Sequence, residues 1–391
     1  MSFAENPVLP ARVRALPPEP RILCLGNALK ETLGARLALR SLELGVQLGG
    51  GTVRGGFCLS DGGDGFLESY EGVVKLRRQR SVVPGPLGDF AVSDFLFDDE
   101  TQTAVIESAQ IIGMALVTPA RRDIMNSGTG GLGDVLMAAI LMGARRIVVG
   151  LGGSATCDGG VGMLYHLQEG LRQGTKIGKH IAAKDLENPP PVDIGFLRER
   201  LKNVQIDVFC DVNNVLTGPR GTAFNFAGQK GATRYEMRLL EYLLERWAKR
   251  IQMFTDSNVA ELEGAGAAGG MGFALAAIGG KLLPGSDAFF DLIGYEKLLG
   301  ECDGIVTCEG RFDTSSFAGK APWRAAQVSQ MAGKPALIAC GSADAAAVEQ
   351  AALIGVKVAE FARDVPVERQ AAEAFTLLQE SVRQYVSRRG R

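Results

Sequence analysis

Apolar positions in this chain fall into two textures. Short continuous runs that stop at glycine or a polar residue mark strands buried on both faces, as parallel strands are. Residues 21–26, 55–60, 146–151, 204–210, 304–308, 335–340 and 356–361 read this way. Between them apolar residues recur at helical spacing: Leu29, Leu33, Leu37 and Leu44 first, then the segments from Gly130, 233–254, 320–331, 343–353 and 368–386. A Gly/Ala-rich helix is expected over 264–283, stopping before Pro284. The runs 73–76, 81–83, 90–97 and 104–107 are shorter and alternate, which predicts hairpins in an antiparallel or mixed sheet. The pattern is weak from 166 to 191. Alternating strands and helices at both chain ends predict an α/β fold with a doubly wound parallel sheet, interrupted by a second domain. The expected bounds are 1–66, 120–165 and 285–391 for the first domain, and 67–119 with 166–284 for the insertion.

A chain of 391 residues holds two or three cores of ordinary size. Its net charge of -2 gives no electrostatic reason to expect nucleic acid or an anionic membrane as partner. No apolar run reaches the ~18 residues that a membrane span needs. The first twenty residues carry five prolines and no continuous apolar stretch, unlike a signal peptide. Seven cysteines without metal spacing read as reduced, mostly buried thiols, so a cytoplasmic protein is expected. With only two histidines, a His-based triad or multi-His metal centre is not expected.

Glycine changes the picture most. The 51 glycines cluster in turns, and two such turns bracket the strand at 146–151. Gly128-Thr129-Gly130 opens a helix, and Gly152-Gly153-Ser154 follows the strand, with Asp158 close behind. Glycine lets backbone N–H groups approach an anion, and a helix N-terminus adds favourable charge. The pair points to bound phosphate, although either turn alone also suits a tight α/β connection. Three G-x-G-x-x-G or -A segments begin at Gly128, Gly150 and Gly264, but none is matched by a ribose-binding acid, and no Walker A pattern occurs.

Other strand ends carry charge. Asp61 and Asp64 stand in a Gly-rich turn that suits either Mg²⁺ or a simple Asp-Gly turn. Cys210-Asp211-Val212-Asn213-Asn214 delivers a carboxylate and then amides to the edge of a sheet. Glu309, Arg311 and Asp313, with Lys320 beyond, fit a ligand crevice or a surface ion-pair network. Lys30, just past the first strand, could meet a phosphate or carboxylate as a point charge, or simply be solvated.

Together these segments resemble the class I glycerate kinase family from about Ile22 to Gly341. The likeness is carried by Lys30-Glu-Thr-Leu33, Ser60-Asp-Gly-Gly-Asp-Gly65, Pro84-Gly-Pro-Leu-Gly88 and Gly150-Leu-Gly-Gly-Ser-Ala-Thr-Cys-Asp-Gly-Gly160. It continues through Cys210–Asn214, Gln229-Lys-Gly-Ala232, Gly264–Gly272 and Glu309-Gly-Arg-Phe-Asp313, with Gly319-Lys-Ala-Pro322 after it. The resemblance implies ATP- and Mg²⁺-dependent phosphorylation of D-glycerate, usually to 2-phosphoglycerate. It also implies a flavodoxin/Rossmann-like domain built from both chain ends with a smaller inserted α/β domain; a homodimer is compatible with it. On that basis Asp211 is the candidate base, and Asp61, Asp64 and Asp158 are candidate metal or hydroxyl ligands. Lys30, Lys230 and Arg311 are candidates for the carboxylate and the transferring phosphoryl group, and Gly128–Gly131 and Gly152–Ser154 for nucleotide phosphates. Asn27, Asn213, Glu309 and Lys320 complete the expected binding set.

The chain departs from the family pattern at Asn27 and Gly131, where a carboxylate is usual, and at Asp64 and Cys157, where Glu and Asn are usual. Two further readings therefore accompany glycerate kinase: a kinase of a related small hydroxy acid, and a non-catalytic nucleotide- or metabolite-binding homologue.

Overall fold

The computed structural model describes residues 15–29, 32–175, 178–255, 257–363 and 365–387. The chain forms two units: one comprises the chain up to Ser60 and from Phe289 onward, the other Asp61–Ala288.

The first unit holds a five-stranded sheet, every neighbour parallel, in the order β11-β10-β9-β1-β2. Its strands are β1 (Arg21–Gly26), β2 (Thr52–Cys58), β9 (Gly304–Phe312), β10 (Ala336–Ala343) and β11 (Lys357–Glu360). Numbered within the unit this is the flavodoxin-like order 2-1-3-4-5, whose winding reverses between β1 and β9. Ile22, Leu23, Cys24 and Leu25 are wholly buried, the condition their unbroken apolar run predicts. Helix Ala35–Leu48 turns Ala38, Leu42 and Val46 inward at four-residue spacing, toward Leu378, Val382 and Val386 of helix Val367–Ser387. Gly45 permits this approach: a Cβ there would stand 2.6 Å from the Gln379 carbonyl oxygen.

The second unit holds a six-stranded mixed sheet, β3-β4-β5-β6-β7-β8. Strands β3 (Arg77–Pro84), β4 (Phe90–Asp98) and β5 (Thr103–Glu107) run antiparallel to one another; β6 (Arg146–Leu151), β7 (Gln205–Cys210) and β8 (Lys281–Pro284) continue parallel to β5. Helix Arg234–Gln252 begins with a capping box in which Thr233 and Glu236 satisfy each other's backbone amides. It buries Leu240, Leu244 and Trp247, whose indole donates to the Gly159 carbonyl at 3.0 Å.

Three expectations change. Residues 120–165, with 61–66 and 285–288, belong to the inserted unit, because β6 pairs β5 on one side and β7 on the other. A buried parallel strand reads alike in either sheet, so texture alone could not assign it. The insertion is also the longer unit, not the smaller. Finally, the helix expected over 264–283 occupies only Ala267–Ala277, and its last turns give way to β8.

Candidate functional site

In the inserted unit β6 delivers Gly152, Gly153 and Ser154 to the end of the sheet. A Cβ on Gly152 would lie 2.5 Å from the Gly63 Cα, so the Asp61–Gly65 turn rests directly on this one. Gly153 is left-handed (φ 58), and both Asp64 carboxylate oxygens sit 3.1–3.2 Å from where its Cβ would be. The turn is fixed from behind: Met114 donates its amide to the Gly153 carbonyl, and Ala155 donates to Ile112, each at 2.7 Å. Among the described residues, no backbone acceptor outside the sheet is recorded for the Gly153 and Ser154 amides.

Lys230 meets this turn from the far side. It is buried, and its Nζ donates to Ser154 Oγ and to the Thr156 carbonyl, both at 2.8 Å. Burial pushes its pKa down to about 8, so the ammonium keeps its proton at neutral pH. A cavity of about 140 Å³ opens here, walled by Gly152, Gly153, Ser154, Lys230, Val212 and Ala268 among others. Val212 lines this cavity, and the half-buried Asp211 stands between it and the end of β7. Ala268 is left-handed (φ 49, ψ 41), a conformation that costs a non-glycine residue about 1–2 kcal/mol. It is held there by its neighbours: a Cβ on Gly269 would come within 2.0 Å of the Thr156 carbonyl oxygen.

Asp61 Oδ1 accepts the Gly63 amide at 3.0 Å, while Asp64 is exposed. Among the described residues no three His, Cys, Asp or Glu side chains converge as a metal cage. The donor set is two carboxylates in one turn, which suits Mg²⁺, a cation that takes one or two carboxylates and fills its shell with phosphate and water.

Asp158 is corrected from ligand to scaffold. It is fully buried: its Oδ2 accepts from the Thr129 amide (3.0 Å), the Thr129 hydroxyl (2.7 Å) and the Gly162 amide (3.2 Å), and its Oδ1 from the Gly160 amide (3.0 Å). The same bonds overturn the Gly128–Gly131 phosphate site. The anion expected at the N-terminus of helix Gly130–Leu141 is the protein's own Asp158 carboxylate. The glycines face protein: a Cβ on Gly128 would lie 1.9 Å from the Ile181 carbonyl oxygen, one on Gly130 2.6 Å from His166, and one on Gly131 2.0 Å from the Pro84 carbonyl oxygen.

In the first unit the winding reversal brings the end of β1 against β9. The Asn27 amide meets Cys308 Sγ at 3.4 Å, and the next residue on β9 is Glu309. Glu309 Oε1 accepts from Lys320 Nζ (2.7 Å) and Ser316 Oγ (3.1 Å), while Oε2 is buried without a hydrogen-bond partner. Burial raises the Glu309 pKa against the lowering effect of Lys320. Arg311 is exposed and pairs with Asp313 and Asp344, so it reads as part of a surface ion network. Lys30 lies outside the described residues.

The sequence profile described as the glycerate kinase family matches residues 22–388. This chain belongs to that family. It is 34% identical over 327 residues to a glycerate kinase of Bacillus subtilis, covering 82% of this chain and 85% of that one. It is 33% identical to the glycerate 2-kinase of Escherichia coli over the same shares of the two chains. The crystal structure of a candidate glycerate kinase 2 from Salmonella typhimurium LT2 superposes with a TM-score of 0.73 at 30% identity, covering 94% of this chain and 96% of that one.

Two residues of the site escaped the sequence reading. Glu107, buried at the end of β5, accepts the Gly65 and Leu67 amides at 3.0 Å each and so holds the Asp61–Gly65 turn in place. A charge closing the apolar run 104–107 was the available signal. Ala268 had none, because alanine gives no sign of a left-handed backbone. Asn213 is exposed, and Asn214 is structural, its amide donating to the Arg220 carbonyl at 2.6 Å.

Proposed function

We propose that this glycerate kinase family member transfers the γ-phosphoryl group of ATP to D-glycerate, giving 2-phosphoglycerate and ADP. The observation that carries the reading is the buried Lys230 ammonium facing a small cavity at the ends of β6 and β7, lined in part by Val212, the residue after Asp211. In the reaction a glycerate hydroxyl oxygen bonds to the γ-phosphorus as the bond to the bridging β–γ oxygen breaks. Asp211, as general base, takes the hydroxyl proton. Gly152, Gly153 and Ser154 offer backbone donors to anionic oxygens, and Lys230 offers charge. Asp61 and Asp64 would hold Mg²⁺, which when bound neutralises charge on the phosphoryl oxygens. At the winding reversal of the other unit, Asn27, Glu309 and Lys320 form the second candidate binding set, in the place where open α/β sheets take ligands.

A second reading, a kinase of a related small hydroxy acid, is favoured by Asn27, which supplies an amide where the family usually has a carboxylate. The cytoplasm is the proposed location, since all seven cysteines are buried, as suits a protein kept in a reducing compartment. Among the described residues no helix is long and apolar enough to cross a membrane. A coupled ADP assay over a panel of small hydroxy acids, with the product resolved by phosphorus NMR, tests the function. Glycerate-dependent formation of 2-phosphoglycerate is expected; ADP formation with another acid alone would select the second reading, and binding without turnover would refute both.

A further inference from the structure

We infer that the cavity beside Lys230 is the carboxylate subsite of the acceptor, with Lys230 as its counter-ion and Ser154 as its second donor. The inference rests on the reading of this protein as a hydroxy-acid kinase and says which end of the acid enters which pocket.

A buried ammonium is costly unless it is paired. Lys230 is 4% exposed, and its two recorded partners are neutral oxygens, the Ser154 hydroxyl and the Thr156 carbonyl. Among the described residues no carboxylate forms an ion pair with it; the Asp158 charge favours the ammonium without direct contact, its oxygens being spent on Thr129, Gly160 and Gly162. The protein thus buries a cation and leaves its counter-ion to be supplied from outside.

An ammonium has three donors, and two are spent. Ser154 accepts from Lys230, so its hydroxyl proton remains to be donated. One N–H and one O–H, set 2.8 Å apart at their heavy atoms, match the two oxygens of a single carboxylate.

Size and wall chemistry separate a carboxylate from a triphosphate. The cavity, about 140 Å³, is well below the roughly 300–1,000 Å³ of pockets for larger ligands. Met114, Val212, Phe226 and Ala267 give it apolar walls, suited to a short carbon chain. A phosphoryl dianion would overbalance the single Lys230 ammonium, whereas a monoanion matches its charge.

Calorimetric titration of the full-length protein tests this with D-glycerate, glyceramide and the non-hydrolysable nucleotide adenylyl imidodiphosphate with Mg²⁺. Lys230→Met, which keeps the length and removes the charge, should weaken glycerate by about 30-fold or more, the scale of a lost charge-assisted hydrogen bond. Ser154→Ala should weaken it by about 5-fold or more. Both should erode the preference for glycerate over glyceramide and leave nucleotide affinity within about 2-fold. If Lys230→Met does not fold, Ser154→Ala carries the same comparison alone. Unchanged glycerate affinity, or a loss falling on the nucleotide instead, overturns the assignment. Should the native protein bind a different hydroxy acid and lose it in Lys230→Met, the glycerate reading fails and the subsite stands. Should it bind the neutral amide as tightly as the acid, the subsite itself is wrong.

Discussion

Removing the Asp158 carboxylate should unfold the inserted unit before it touches chemistry. Asp158→Ala strips the acceptor from three buried backbone amides (Thr129, Gly160 and Gly162) and from the Thr129 hydroxyl. Each orphaned buried group costs about 1–3 kcal/mol, and part of the sum is offset because a carboxylate no longer has to be desolvated. A net loss of about 3–5 kcal/mol results, the range for breaking a buried charged network by deleting one partner. Asp158→Asn keeps one oxygen where Oδ2 stands but sets an NH₂ group against the Gly160 amide, so its cost should be smaller, about 1–3 kcal/mol. The assay is urea unfolding followed by Trp247 fluorescence in a Trp323→Phe background. Trp247 reports on this region directly, since its indole is bonded to the Gly159 carbonyl beside Asp158. With a urea slope of about 2–3 kcal/mol/M, the alanine variant should lose about 1–2 M in midpoint. If its midpoint matches the native one while Mg²⁺-dependent turnover disappears, Asp158 is a ligand after all and the scaffold assignment is refuted.

Asp211→Asn should stay folded and lose turnover by ~100-fold or more, the scale of a positioned general base; at least half the native rate at saturating substrates would remove Asp211 from that role. Glycerate affinity should fall as pH rises through about 8, where Lys230 gives up its proton. Stability should move the other way: the folded pKa lies below the ordinary lysine value of 10.5, so the penalty for burying the charged form is complete below about 8 and is relieved as pH rises toward 10.5. Affinity and unfolding curves that climb together across that window would contradict the account. Ala268→Gly should raise stability by up to about 1 kcal/mol by relieving the left-handed backbone, whereas Ala268→Val should lower it; equal midpoints for the two would show that no strain is stored there.

Local patterns were legible where one physical cause dominates. The strands at 21–26 and 146–151 are read from short apolar runs because both faces of each are covered. The helix at 233–254 is read from helical spacing because one face is buried, and the structure adds the Thr233–Glu236 capping box. What eluded the sequence is what each element meets. The turns at Gly128–Gly131 and Gly152–Ser154 carry the same signature of close approach, yet the first is filled by Ile181, His166 and Pro84 and the second opens on a cavity. Glycine tells that something comes near, not whether it is protein or ligand. The domain boundary failed for a similar reason, since β6 has the composition of a strand in either sheet. β8 was hidden because the break before Lys281–Pro284 is Gly279-Gly280, which in a Gly/Ala-rich stretch reads as more of the same composition.

The placement of Asp61–Ala288 as one uninterrupted stretch dictates an order of events during synthesis. When Ala288 leaves the ribosome, every strand from β3 to β8 exists, and the stretch can close on itself: its two ends already touch, with Gly285 against the Asp61 carbonyl. The first sixty residues have no such option. β1 has β2 on one edge, but β9 on the other is not yet made. Until Phe312 emerges, that largely apolar strand must wait with an open side, a ready template for wrong partners. A strand made before the insertion is thus completed only after it, and the nascent chain is most exposed to aggregation and to chaperone capture during the interval that the insertion itself creates.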